Sequence, residues 1–197
     1  MRSLQLFIAI RLTFAIHGSS LEDLKNALNT DDRIFLFMRS NATMYNNPDW
    51  ICVSYYRHFM RLSNALYLLQ ENYLDRWTKK WGQRNTTATL AEGSDKNASL
   101  TVSKFYGTER EKTYTLRHWN DEEKCFILTL INDNNNIKCE LHQWEAKVTA
   151  NRQGPYKKSP GYHACEREFY QYCPRPDPVQ VYLTEECKAI SPPLHQV

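Results

Sequence analysis

The sequence lacks the features that mark several classes of protein. After Ile16 no stretch approaches the ~20 consecutive apolar residues of a membrane-spanning helix. The net charge is only +3 and the basic residues form no stripe, which argues against a nucleic-acid partner. There is no phosphate loop, His-Glu-x-x-His motif or nucleophile elbow, so nothing in the sequence indicates an enzyme. No membrane partner, metal or cofactor is predicted.

The cysteines also lack the spacing of metal or redox sites. No C-x-x-C pair occurs among the six cysteines, so disulfides are favoured over zinc or free thiols. Three Asn-x-Ser/Thr acceptors for glycosylation, at Asn41, Asn85 and Asn97, accompany them. Both features are typical of secreted proteins, and they predict an extracellular glycoprotein. The cysteines are Cys52, Cys125, Cys139, Cys165, Cys173 and Cys187.

The first residues have the order of a secretory signal peptide. Arg2 precedes an apolar run from Leu4 to Ile16, and small residues follow at 18–20. Arg11 interrupts this run, and an amphipathic N-terminal helix is the alternative. We predict a signal peptide over residues 1–19 and one domain over residues 20–197, because 197 residues suit one sizeable core rather than two.

The remaining pattern predicts a mostly-β protein. Ser20 precedes a helical repeat at Leu21, Leu24, Ala27 and Leu28, and a second short helix is predicted over Ala164–Tyr172. The segment 57–81 fits either a helical stripe or strands, and the flanking meander favours strands. Residues 82–99 are polar and suggest exposed turns around one short strand. An up-and-down barrel or a sandwich is expected from strands at Arg33–Ser40, Trp50–Tyr56, Thr86–Leu90, Leu100–Tyr106, Thr113–Trp119, Cys125–Ile131, Ile137–Val148 and Val179–Leu183.

The cysteine order and the segments around it resemble one family over most of the mature chain. The segments are Trp50-Ile51-Cys52-Val53, Thr113-Tyr114 before Cys125, Cys139-Glu140-Leu141, a helix carrying Cys165 and Cys173, and the closing Cys187. Together they resemble the tick salivary lipocalins, the family of the tick histamine-binding proteins. The resemblance implies an all-β, lipocalin-like, eight-stranded antiparallel barrel with a short N-terminal helix and a C-terminal helix outside it. It also implies the pairs Cys52–Cys187, Cys125–Cys165 and Cys139–Cys173, which cysteine positions alone leave open.

These implied bridges predict which side chains face the barrel interior. A strand cysteine bonded to an outer segment points outward, so its strand neighbours point inward. The rule predicts an apolar and aromatic interior with one embedded carboxylate. The predicted inward residues are Glu140, His142 and Trp144 beside Cys139, Phe126, Leu128 and Leu130 beside Cys125, and Ile51, Val53 and Tyr55 beside Cys52. Tyr106 and Tyr114 are further candidates, with plain core packing as their alternative.

Glu140 is the centre of the predicted ligand site. A buried carboxylate needs a cationic or hydrogen-bonding partner, and aromatic faces attract cations. In the histamine-binding members an acid follows the cysteine of the Cys125 strand, whereas this chain has Phe126. Those members also carry a Cys-Glu-Leu-Trp segment. This chain matches its glutamate at Glu140 but has His142 in place of the Trp. The missing acid either removes an amine site or shifts preference to a more apolar ligand; His142 neutralising Glu140 is a further alternative.

The resemblance implies a ligand-binding protein. We expect a secreted, monomeric lipocalin that sequesters a small host mediator, histamine or a related biogenic amine, and so modulates host defence at a feeding site. The alternatives are a lipid mediator such as a leukotriene, or a host protein such as a complement component bound through the barrel loops.

Overall fold

A computed structural model of the protein describes residues 19–40, 49–61, 65–93, 96–104, 111–131, 135–150, 163–173 and 178–188. The predicted signal peptide up to residue 18, the acceptor Asn41 and the cavity candidate Tyr106 lie outside these residues. Within the described part, no helix is long and apolar enough to cross a membrane. The strands are β1 (Ile34–Arg39), β2 (Trp50–Arg61), β3 (Leu66–Asp75), β4 (Trp81–Glu92), β5 (Ala98–Lys104), β6 (Lys112–Asn120), β7 (Cys125–Ile131), β8 (Ile137–Trp144) and β9 (Val179–Gln180). The helices are α1 (Leu21–Leu28), α2 (Glu145–Ala150), α3 (His163–Tyr172) and α4 (Thr184–Lys188).

The first eight strands form a closed antiparallel barrel. Each strand pairs with the next from β2 to β8, β8 pairs with β1, and β1 pairs with β2 to complete the circle. Each of these eight strands therefore has a paired strand on both sides, which is the arrangement of a closed barrel. The predicted lipocalin-like barrel is therefore confirmed.

The C-terminal segment fills a gap in this wall. Strands β1 and β2 pair directly only at Ile34–Tyr55 and Phe35–Ser54. Beyond that point they diverge, and Val181 lies between them: its carbonyl accepts from the Cys52 amide at 2.9 Å, and its amide donates to the Phe37 carbonyl at 2.9 Å. The segment after β9 is thus part of the barrel rather than an appended tail.

Helix α1 covers one end of the barrel, which we call the helix end. Ser20 caps it, because its hydroxyl accepts from the Asp23 amide while the Asp23 carboxylate accepts from the Ser20 amide. Leu24, Ala27 and Leu28 are buried, and α1 packs against β4, β5 and β6. The opposite end of the barrel, called the far end, carries the β3–β4 turn and β9.

A second apolar layer lies outside the barrel. Helix α3 packs against β6, β7 and β8, with Phe169 fully buried. The three disulfides connect this layer to the wall as Cys52–Cys187, Cys125–Cys165 and Cys139–Cys173, the pairs that the resemblance implies. Helix α3 matches the second predicted helix and lies outside the barrel, as expected.

Several strand boundaries differ from the prediction. In the described part of the ambiguous segment 57–81, residues 57–61 continue β2 and residues 66–75 form β3, so the strands that were favoured are present. The short strand predicted at Thr86–Leu90 is present, but the exposed turns predicted on either side of it are wrong for residues 82–92. Strand β4 runs unbroken over Trp81–Glu92, because its β-branched Thr residues suit a strand and alternate residues from Thr86 to Leu90 are buried. The strand predicted to reach Val148 ends at Trp144, where an ion pair between Glu145 and Arg33 anchors the start of α2. Only Val179–Gln180 of the last predicted strand pairs as a strand.

Candidate functional site

The interior of the barrel contains two adjoining cavities. The helix-end cavity has about 730 Å³ of empty space and the far-end cavity about 420 Å³. Both volumes include the solvent-filled opening of the cavity. Both cavities share a layer of polar side chains midway along the barrel, formed by Tyr55, Glu71, Arg84, Lys112, Tyr114 and Glu140. Below this layer the helix-end cavity is mainly apolar, with walls from Leu28, Ile34, Leu69, Leu100, Val102, Phe126 and Leu128.

The predicted stripes on β7 and β8 face these cavities. Phe126 pairs with His142 and Leu128 with Glu140, and all four line the helix-end cavity. Cys125 and Cys139 point the other way, into the outer layer with α3. Alternation along two regular strands therefore places these residues on the predicted face.

The stripe predicted on β2 is only partly present. Val53 and Tyr55 line a cavity, but Ile51 packs with Cys52 in the outer layer. The prediction that Ile51 faces inward is wrong because Cys52 has a φ of 53° and β2 has one extra residue between Ile51 and Ser54 relative to β3. Such a bulge interrupts the alternation of side chains.

Trp144 closes the helix end rather than lining either cavity. Its indole nitrogen donates to the Ala27 carbonyl at 2.9 Å, and its ring lies 5.9 Å from that of Trp119. Its predicted role as a ligand contact has no geometric support among the described residues. Leu130, at the other end of the β7 stripe, packs at the edge of the inner apolar cluster.

Glu140 is buried in the polar layer with two hydrogen-bonding neighbours. It is 6 % exposed, and the Tyr114 hydroxyl donates to its Oε1 at 3.3 Å. Its Oε2 lies 3.1 Å from Nε2 of His142. The His142 ring stacks on Phe126 with a centroid distance of 4.9 Å and an interplanar angle of 11°. The carboxylate is thus held rigidly at the boundary of both cavities.

A second buried acid, Glu71, was not predicted. Its carboxylate forms an ion pair with Arg84 on β4 and accepts from the Tyr55 hydroxyl at 3.2 Å. The Arg84 guanidinium lies over the Trp50 ring, 4.9 Å from its centroid. The alternation of Tyr67, Leu69 and Glu71 along β3 is the sequence signal for an inward acid.

The two acids create an unfavourable environment for a third negative charge. Burial raises the pKa of Tyr55 well above its ordinary value, and the nearby Glu71 and Glu140 carboxylates raise it further. Tyr55 therefore remains a neutral hydrogen-bond donor in the cavity across the physiological range.

The polar layer offers groups for cationic and anionic ligands, and none of the clusters expected for a metal. Within the described residues, no three potential His, Cys, Asp or Glu ligands come together. Arg84 and Lys112 contribute positive charge to this layer, and Glu71 and Glu140 contribute negative charge. Arg39 adds a further cation to the far-end cavity. The two acids differ, because Glu71 faces a permanent cation and Glu140 faces a titratable imidazole.

Comparison with known proteins gives a family and a fold. Residues 17–189 match the family model described as "Tick histamine binding protein". The chain has no match among curated protein sequences. Among solved structures, apocrustacyanin C2 is similar with a TM-score of 0.50 and 12% identity over 87% of this chain and 92% of that chain. Lobster apocrustacyanin A1 has a TM-score of 0.45 and 10% identity over 83% and 87% of the two chains. At such identity the apocrustacyanin C2 likeness shows the barrel fold alone.

Proposed function

Because the chain belongs to the tick histamine-binding protein family, we propose that it is a secreted lipocalin that sequesters histamine or a related biogenic amine. In this role it modulates host defence at a feeding site by lowering the free concentration of the mediator. The observation that carries the proposal is the Glu140 carboxylate, which is buried at the boundary of both cavities.

The surroundings of Glu140 favour a cationic ligand. Among the described residues, His142 is its one ion-pair partner, and a neutral imidazole supplies no compensating charge. A buried carboxylate without a cation is costly, so an ammonium group entering the cavity gains a strong charge-assisted hydrogen bond. Tyr55, Tyr114 and Phe126 line the same cavity and add aromatic surface that attracts a cation.

Calorimetric titration with a small panel tests this proposal. The purified, disulfide-intact protein is titrated with histamine, serotonin and a leukotriene at neutral pH. We expect saturable binding of an amine. Binding of the leukotriene alone would reject an amine as the ligand and favour the next candidate.

A lipid mediator is the second candidate, because of the lower part of the helix-end cavity. Its aliphatic walls offer no charged group for a polar head, whereas Arg84 and Lys112 lie in the layer above. An acidic lipid would place its tail against Leu69, Leu100 and Leu128 and its carboxylate beside those cations. Titration with the leukotriene in the calorimetric panel tests this second candidate directly.

A host protein is the third candidate, favoured by the β3–β4 turn at the far end. Trp77 is 77% exposed at its tip, and Arg76, Lys79 and Lys80 are exposed around it. Asp75 holds the turn rigid, since its carboxylate accepts from the Trp77 and Thr78 amides. Exposed, rigid aromatic residues are frequent anchors in protein interfaces. A pull-down from host serum, performed with the native chain and with the Trp77→Ala variant, tests whether this turn binds a host protein.

Export and glycosylation belong to the same proposal. Three disulfides suit an oxidising, extracellular location. Asn85 is exposed on the outer face of β4 and Asn97 is partly exposed in the turn before β5, so both are accessible as glycan acceptors. We propose that the secreted protein is a monomeric glycoprotein.

A further inference from the structure

The His142 ring has one nitrogen in use and one without a partner. Nε2 faces the Glu140 carboxylate at 3.1 Å. Nδ1 is buried and has no hydrogen-bond partner in the described part of the chain. The residue is only 3% exposed, yet it lines the helix-end cavity. Buried polar atoms are nearly always hydrogen-bonded in folded proteins, so this nitrogen requires an explanation.

The neighbours of the ring keep it from turning to find a partner. Phe126 stacks on it at 4.9 Å, and the Tyr55 ring lies 5.9 Å away. The carboxylate of Glu140 fixes the tautomer: a neutral imidazole that donates from Nε2 to a carboxylate carries its lone pair on Nδ1. Nδ1 is therefore a buried acceptor with a fixed orientation, on a residue that lines the cavity.

We propose that Nδ1 of His142 accepts a hydrogen bond from the bound ligand. The inference rests on the proposed function and specifies the ligand further. The ligand places its ammonium on Glu140 and a second N–H or O–H donor on His142. The two acceptors are separated by the 3.1 Å contact between Glu140 Oε2 and His142 Nε2 plus the width of the imidazole ring. Such a span suits a short amine with a polar ring. The site then selects such amines over those whose second group is a hydrocarbon.

Selectivity follows because a ligand without the second donor leaves Nδ1 buried and unpaired. Sites built around a hydrogen bond discriminate strongly against analogues that lack the group. Histamine has a ring N–H, whereas 2-phenylethylamine has the same ethylamine chain on a ring with no donor. Methylation of the histamine ring nitrogen removes the N–H and leaves the ammonium unchanged.

The test compares these three amines by calorimetry on the native protein. We expect histamine to bind at least about tenfold more tightly than 2-phenylethylamine and ring-methylated histamine, which corresponds to about 1.4 kcal/mol. Equal affinities for the three would overturn the role of Nδ1 while leaving the amine proposal standing. Failure of all three to bind would instead count against the proposed function.

A variant gives an independent measurement. His142→Phe keeps an aromatic ring to stack on Phe126 but has no nitrogen. We expect the histamine to 2-phenylethylamine affinity ratio to fall to within about twofold of unity, even if Glu140 then binds both amines more tightly. An unchanged ratio in the folded variant would contradict the proposal. Should this variant fail to fold, the methylated-histamine comparison on the native chain decides alone.

Discussion

The Glu140 carboxylate lies 3.1 Å from Nε2 of His142, two residues further along β8. Alternation places both side chains inside the barrel, and Leu141 between them points into the outer layer. This acid therefore has a partner whose charge depends on a proton. Glu71, by contrast, has the permanent charge of Arg84. Of the two buried carboxylates, Glu140 is the one whose charge is not already compensated by a guanidinium.

The first prediction concerns Glu140→Gln. The amide keeps the shape of the side chain and removes its charge, so the affinity for histamine should fall by roughly 10- to 100-fold, the equivalent of one charged hydrogen bond. Calorimetry measures the change. Glu122→Gln, on the exposed β6–β7 turn, is the matched control and should bind as the native chain does. An unchanged affinity in Glu140→Gln would reject Glu140 as the counter-charge.

The second prediction concerns the alkaline limit of stability. Burial first, and then Glu71 and Glu140, raise the pKa of Tyr55 well above its ordinary value. An unfolded tyrosine loses its proton near pH ~10, whereas the folded one keeps it. The unfolded state then binds fewer protons, so the free energy of unfolding decreases as pH rises above about 10.

Replacing Tyr55 by Phe removes this contribution. Tyr55→Phe should lose less stability than the native chain between pH ~9 and ~11, whatever its stability at neutral pH. Urea denaturation at several pH values gives the two slopes. Parallel slopes would show that Tyr55 ionises at its ordinary pKa.

The third prediction concerns the bridge between Cys52 and Cys187. It spans 135 residues, so its loss should lower the free energy of unfolding by about 5 kcal/mol in the chain-entropy model. The double variant Cys52→Ala/Cys187→Ala should also release the segment that fills the gap between β1 and β2. Urea denaturation measures the first effect.

Hydrogen exchange measures the local effect. In the native protein the Cys52 amide donates to Val181 and the Val181 amide donates to Phe37. Their protection should decrease more than that of the β3–β4 amides, which pair independently of the C-terminal segment. Uniform loss of protection would mean that the bridge supports the whole barrel rather than this part of the wall.

The sequence predicted the interior best where strands are regular. Cys125 and Cys139 lie on β7 and β8, whose paired region has no register shift, so alternation from each cysteine places Phe126, Leu128 and Glu140 correctly. The same rule fails at Ile51, since a bulge depends on how β2 meets β3 and not on the local residues. The family pattern supplied the disulfide pairs, which residue spacing left open.

Other parts of the site depend on contacts between distant segments. Glu71 and Arg84 are paired because β3 and β4 are in register there, and no local residue pattern predicts that register. Trp144 belongs to the inward stripe, but the Ala27 carbonyl on α1 holds its indole at the helix end. The change from strand to helix after Trp144 likewise follows the distant contact between Arg33 and Glu145.

The last prediction is a double-mutant cycle on the Glu71–Arg84 ion pair. The Glu71 side chain is 5% exposed, so Arg84→Met should leave a buried, uncompensated carboxylate and destabilise the protein by about 3 kcal/mol. Glu71→Gln in the Arg84→Met background removes that charge and should restore part of the loss, giving a total below the sum of the single changes. Urea denaturation of the four proteins supplies the coupling energy. Strict additivity would show that the two charges do not stabilise each other, and that another group compensates Glu71.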